Sequence, residues 1–133
     1  MKINYKVGDL FQSVDWDSPI VKLIPHCCND INSFGSGFAG AVARHFPEVK
    51  ERYHSWYNEG VDFQSGKSFE LGQFQSVQVN KSTYFLNMIG QRGVRGQDNP
   101  KPCKYGHLFT CIKDISTMIC LGQNCEVEII TVK

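Results

Sequence analysis

The segment Gly35-Ser36-Gly37-Phe38-Ala39-Gly40 decides how this chain is read. It has the spacing G-x-G-x-x-G and runs into a stretch whose apolar positions, Ala39, Val42, Phe46, Val49, Tyr53 and Trp56, recur at steps of three and four. That recurrence is one face of a helix. Glycines let a backbone approach an anion closely, and the helix start behind them offers unpaired N–H groups and the positive end of its dipole. A plain glycine-rich turn into a helix satisfies the same pattern, so the flanking sequence has to separate the two. Pro47 interrupts the helix and fits best as the first residue of a second helical piece. Two abutting helices are expected, the first ending near Phe46.

Upstream, Ile3 to Lys6 reads as a short strand ended by the turn pair Gly8-Asp9, after which Leu10 and Phe11 pack a linking segment. Ser18-Pro19 punctuates before Ile20-Val21-Lys22-Leu23-Ile24, a compact branched run that suits a buried strand. It is expected to end at Pro25-His26-Cys27-Cys28-Asn29-Asp30. Downstream, Gly60 and Gly66 bracket a turn-rich stretch. Strand signals follow at Phe69 to Leu71, at Phe74 to Val79 and at Thr83 to Ile89, with Asn80-Lys81-Ser82 as a hairpin connection between the last two. Gly90 to Lys104 is a long loop, of a length that in compact domains is often functional. A helix is expected from about Tyr105 to Leu121, with Leu108, Ile112, Ile115 and Ile119 on one face and Gly122 as its stop. Val127 to Val132 reads as a strand. Strands alternate with helices and no repeat or linker interrupts them, so the fold class is α/β, layered helix against sheet.

Composition narrows the function. At 133 residues, 41% hydrophobic and 20% charged, the chain reads as one globular domain, 1–133. The net charge of +1 gives no clear nucleic-acid surface, and Arg92, Arg95, Lys101 and Lys104 fall in a Gly- and Pro-bearing loop that reads as solvated. No stretch reaches the ~18 apolar residues that span a membrane. The start, Met-Lys-Ile-Asn, shows no apolar signal region, and the six cysteines include an adjacent pair unlike a disulfide framework. Reduced cysteines and a cytoplasmic location are expected. With no Cys-x2-Cys pair and four scattered histidines, neither a metal site nor a cofactor is expected.

A nicotinamide-binding reading of the glycine segment fits poorly. In that fold the first glycine follows its strand almost directly, whereas about ten residues separate Ile24 from Gly35. Another ordering fits better. A Gly-Asp turn follows the first strand, and a buried strand ends in His26-Cys27-Cys28-Asn29. A glycine loop then opens a helix broken at Phe46-Pro47, and Asn87-Met88-Ile89-Gly90-Gln91 closes a central strand. Over nearly its whole length this order resembles the macrodomain family, specifically the branch of ADP-ribose-1''-phosphate phosphatases and related ADP-ribosyl hydrolases.

The resemblance implies a three-layer α/β/α sandwich with a mixed central sheet, C-terminally shortened, and ADP-ribose or a derivative as partner. It implies that Asp9 accepts from the adenine amino group, with Leu10 beside it; a turn aspartate is an equal reading. Asn29 would bond the distal ribose, or else cap its own loop. Gly35, Ser36, Gly37, Phe38 and Ala39 would form the diphosphate loop, Phe38 covering the ribose or, as the safer reading, entering the core. Gly90 and Gln91 would complete the contacts. His26 matches a catalytic histidine of the phosphatase branch, where it would orient or deprotonate a water; a strand-end histidine with a satisfied bond is the alternative. Gln91 cannot form a Schiff base and Arg92 stays protonated, which disfavours a lysine-type mechanism.

Family members carry a second glycine loop, an acidic residue, a helix and a strand after the point where this sequence stops. A shortened protein completed by a partner and a fragment of a longer one are both open at this stage. The sheet edge so exposed would be a route to homodimers. The two functions carried forward are a hydrolase and a non-catalytic ADP-ribose reader or interaction module.

Overall fold

A computed structural model describes residues 2–6, 10–35, 37–121 and 127–132. In chain order the elements are β1 (Lys2–Lys6), α1 (Leu10–Ser13), β2 (Val21–Asn29), α2 (Gly37–His45), α3 (Pro47–Glu59), β3 (Phe74–Gln78), β4 (Thr83–Gln91), α4 (Tyr105–Leu121) and β5 (Val127–Val132). The five strands form one sheet in the order β1-β5-β2-β4-β3. β1, β5, β2 and β4 run parallel, and β3 returns antiparallel against β4. The sheet is therefore mixed, as the resemblance implied.

Alternation along β2 and β4 sends side chains to two cores. Ile24, Cys28, Phe85 and Ile89 face one side, where Leu10, Val42, Val49, Tyr53 and Trp56 from the first three helices cover them. Leu23, Leu86 and Met88 face the other, under Cys111 and Ile115 of α4. Helices on both faces of a mostly parallel sheet make the three layers expected.

The helical break lies where Pro47 placed it. Phe46 is extended (φ −137°, ψ 77°), as a residue before proline must be, and Pro47 starts α3. Gly60 ends α3 in the left-handed region at φ 79°, its N–H returning to the Trp56 carbonyl.

β2 runs on from its apolar run through Pro25 and ends, as expected, at Asn29, whereas two other expectations are corrected. Its pairing with β5 covers Val21 to Leu23, so on that side the ladder has ended before Pro25, whose missing N–H costs no bond. Phe69 to Leu71 is not a strand. Phe69 instead lays its ring against Tyr53, Trp56 and Tyr57, with centroids 5.0–5.6 Å apart, which accounts for an apolar run outside the sheet. On α4 the buried stripe is Leu108, Cys111 and Ile115, whereas Ile112 is 49% exposed. The Gly8-Asp9 turn and the Gly122 stop lie outside the described residues, as does the Ile119 side chain.

Lys22 is buried in the sheet without a carboxylate. Its ammonium spends its donors on the Ser18 carbonyl (2.8 Å), the Ile20 carbonyl (3.0 Å) and Ser82 Oγ (2.9 Å), which satisfies the charge locally.

Candidate functional site

The carboxyl ends of the parallel strands β2 and β4 open into a cleft of about 620 Å³. Ligands of open α/β sheets bind at such ends. One wall is the loop at Ser33 to Gly35 with the first turn of α2. The opposite wall is Gln91, Val94 and Arg95, and Leu108 of α4 contributes to the lining.

The glycine segment separates into distinct steric demands. Gly37 adopts φ 58°, where an L side chain is strained, and it begins α2. Gly40 lies against the loop: a Cβ there would meet the Gly35 carbonyl oxygen at 2.9 Å. Gly35 has open space around it. So Gly40 lets the loop fold down onto the helix and Gly37 turns the chain into it, while Gly35, Phe38 and Ala39 face the cleft.

The structure brings His26, Asn29, Gly35, Phe38, Ala39 and Gln91 together in that lining. Gly90 lies behind it; a Cβ there would meet Leu108 Cδ1 at 2.9 Å and Cys27 Sγ at 3.2 Å, so its role is close packing under the cleft floor. Leu10 sits in the core beneath α2 and α3. Asp9 and Ser36 lie outside the described residues. Asn29 holds its own loop: Oδ1 accepts from the N–H groups of Ile31 (3.0 Å) and Ser33 (3.1 Å), and Nδ2 donates to the Ser33 carbonyl at 2.7 Å. Tyr53 Oη donates to it as well, at 2.8 Å. Asn29 thus caps its own loop and also lines the cleft. Gln91 donates to the Gly93 carbonyl at 2.9 Å.

His26 is wedged edge-on among Phe34, Phe38 and Phe85. Burial lowers its pKa to about 4 against the raising effect of the Asn87 bond, so the ring is neutral at pH 7. Burial likewise pushes Cys27 up to about 11 and Cys28 well above the ordinary thiol value, so neither is a ready thiolate nucleophile. Among the described residues, no Asp or Glu lines the cleft. Among the described residues the one ion pair joins Arg52 to Asp62, leaving the exposed Arg95 guanidinium at the rim with no carboxylate. A lone cation facing a glycine-built helix start suits an anionic ligand.

Sequence reasoning missed Arg95, Asn87, Gln75 and Tyr53. Asn87 carries a readable signal, since it is an amide in the middle of an apolar strand segment, whereas Gln75 lies in a strand with other polar residues. Arg95 carried none beyond its loop. Among the described residues no group of three or more His, Cys, Asp or Glu side chains is placed to hold a metal, and no helix is long and apolar enough to cross a membrane.

No family model matches the sequence, and no curated protein does. Solved structures do match. A macrodomain protein from Streptomyces coelicolor is 28% identical with a TM-score of 0.75, covering 98% of this chain and 77% of that one. A protein of unknown function from Bacteroides thetaiotaomicron is 24% identical with a TM-score of 0.73, covering 98% of both chains. The macrodomain of Thermus aquaticus DarG, at 14% identity and a TM-score of 0.68, shares the fold over 98% of this chain and 97% of its own. The chain has the macrodomain fold.

Proposed function

We propose that this chain, a macrodomain by fold, binds ADP-ribose or an ADP-ribose derivative in the cleft between α2 and the Gln91–Arg95 segment. The observation that carries the reading is the cleft itself. Its volume of about 620 Å³ falls within the ~300–1,000 Å³ usual for small-ligand sites, and it pairs a glycine-built helix start with an arginine that has no carboxylate partner among the described residues. Phe34 and Phe38 give it apolar walls for a sugar ring; the α2 N–H groups and Arg95 supply the charge complement of a diphosphate.

The hydrolytic form of this reading, phosphate release from ADP-ribose-1''-phosphate or cleavage of an ADP-ribosyl bond, needs a group to activate water. His26 is the residue placed to do so, but with a pKa of about 4 it is a weak base at neutral pH, and no carboxylate among the described residues lines the cleft to assist it. That favours a reader over an enzyme.

Titration calorimetry with ADP-ribose decides the binding claim. Saturable one-to-one binding is expected, weakened about tenfold in Gly40→Ala because the added methyl pushes the loop off the helix. Absence of heat with the folded wild-type protein would reject the reading. Phosphate release from ADP-ribose-1''-phosphate that disappears in His26→Ala would replace the reader with the hydrolase.

A further inference from the structure

Three polar side chains buried on the α3 face of the sheet form one row. His26 on β2 stands opposite Asn87 on β4, and Asn87 stands opposite Gln75 on β3. The side chains bond along that line. His26 Nε2 lies 2.6 Å from Asn87 Oδ1, Asn87 Nδ2 donates to Gln75 Oε1 at 3.0 Å, and Gln75 Nε2 donates to Asp62 Oδ1 at 3.0 Å. Asp62 in turn pairs with Arg52 at 3.0 Å. The row and Asp62 are buried, with Asn87 at 0%, Gln75 at 1%, Asp62 at 3% and His26 at 7% exposure.

The charged end sets the direction of every bond. Burial alone would raise the Asp62 carboxyl, but bonds from Gln75, Arg52 and Ser65 hold it below its ordinary value, so it is a carboxylate and only accepts. Gln75 must present its NH2 group, and both N–H bonds are used, one on Asp62 and one on the Arg52 carbonyl at 3.0 Å. Its oxygen is what remains for Asn87, which therefore donates through Nδ2 and has Oδ1 left for the histidine. A neutral imidazole facing an acceptor must supply the proton itself. Nε2 carries it and Nδ1 carries the lone pair; the Cys28 sulfur lies 3.9 Å from each ring nitrogen and donates weakly to Asn87 Oδ1 at 3.8 Å.

We infer that Asp62, Gln75 and Asn87 are positioning residues that lock His26 in the Nε2–H tautomer, leaving Nδ1 as a hydrogen-bond acceptor for the group the cleft holds beside it. A phosphoryl oxygen is itself an acceptor and gains nothing from Nδ1. A hydroxyl or a water molecule does gain, because it can donate. The lock stands on the geometry of the chain itself; the hydroxyl contact rests on the ADP-ribose reading.

Long-range proton–nitrogen correlation spectra of the 15N-labelled protein at pH 7 read the tautomer directly, with His26→Gln used to assign the His26 signals. The wild type is expected to show one Nε2–H form whose ring proton is protected from exchange. Gln75→Met frees Asn87 to turn without touching the histidine. It should give averaged tautomers and a lost ring proton, with ADP-ribose affinity down about threefold. An Nδ1–H wild type overturns the lock whether or not the variants fold, and so does an unchanged spectrum in folded Gln75→Met. Saturating ADP-ribose should shift the Nδ1 resonance toward that of an accepting nitrogen; a bound state that leaves it in place removes the hydroxyl contact. Failure of ADP-ribose to bind at all would sink the proposed function and leave the tautomer result intact.

Discussion

The imidazole of His26 is held neutral among three aromatic rings, and the cost of that appears as the medium is acidified. In the unfolded chain a histidine titrates near 6.5, whereas burial lowers the folded value to about 4. Between those values the unfolded state binds the extra proton, so stability rises with pH through the window and is lost as pH falls from 6.5 toward 4. The loss attributable to His26 is expected to be roughly 3 kcal/mol by pH 4. Denaturant titrations at stepped pH would measure it. Most of the slope should vanish in His26→Gln, with a small remainder from His54, whose pKa is lowered by partial burial and by Lys50; a variant that keeps the full slope would contradict the assignment. Single residues were unevenly legible in the sequence. Gly37 and Gly40 declared themselves by spacing, because the demands they meet are local: a backbone angle and a contact five residues apart. His26 was legible as a site candidate, but its bond to Asn87 spans 61 positions and has no trace in the local pattern. Asn29 stood in the right place, yet the four bonds that occupy its carboxamide depend on Tyr53 and on a loop shape that composition does not specify.

Among the elements, α4 separates periodicity from burial. Steps of three and four permit two overlapping stripes on this helix, one through Leu108, Ile112 and Ile115, the other through Leu108, Cys111 and Ile115. The sheet selects the second, where Cys111 packs against β4 and its sulfur donates to the Gln73 carbonyl at 3.4 Å. Ile115→Ala is therefore expected to cost about 2–4 kcal/mol in chemical denaturation, and Ile112→Lys no more than about 0.5 kcal/mol. Equal losses at the two positions would show that Ile112 is covered in solution. The paired helices α2 and α3 were readable almost to the residue, since proline acts on its own neighbours. β2 extends beyond its own apolar run because its length is set by β4 lying beside it.

On the scale of the molecule, the cleft is made by two chain segments that the fold brings together and one bond joins. Asp30, just beyond β2, accepts the Gly93 N–H at 2.7 Å and so ties the end of β2 to the Gln91–Arg95 wall. Asp30→Ala should weaken ADP-ribose several-fold by calorimetry while changing global stability by less than about 1 kcal/mol. A large loss of stability with unaltered affinity would place the bond in the scaffold and not in the site. The sequence carried the class of fold and the order of its layers, since alternating strand and helix patterns leave few arrangements. It did not carry the facing of the two walls, which comes from a parallel pairing across some sixty residues. The row of His26, Asn87 and Gln75 has a further consequence for how those strands come to rest side by side. Slip β4 by one residue and Asn87 turns to the opposite core, among Leu23 and Ile115, while an apolar side chain meets the histidine. Such a sheet would strand three polar groups in oil, at roughly 1–3 kcal/mol each. The amides thus act as an alignment key during assembly: misregistered sheets are penalised before any ligand is met.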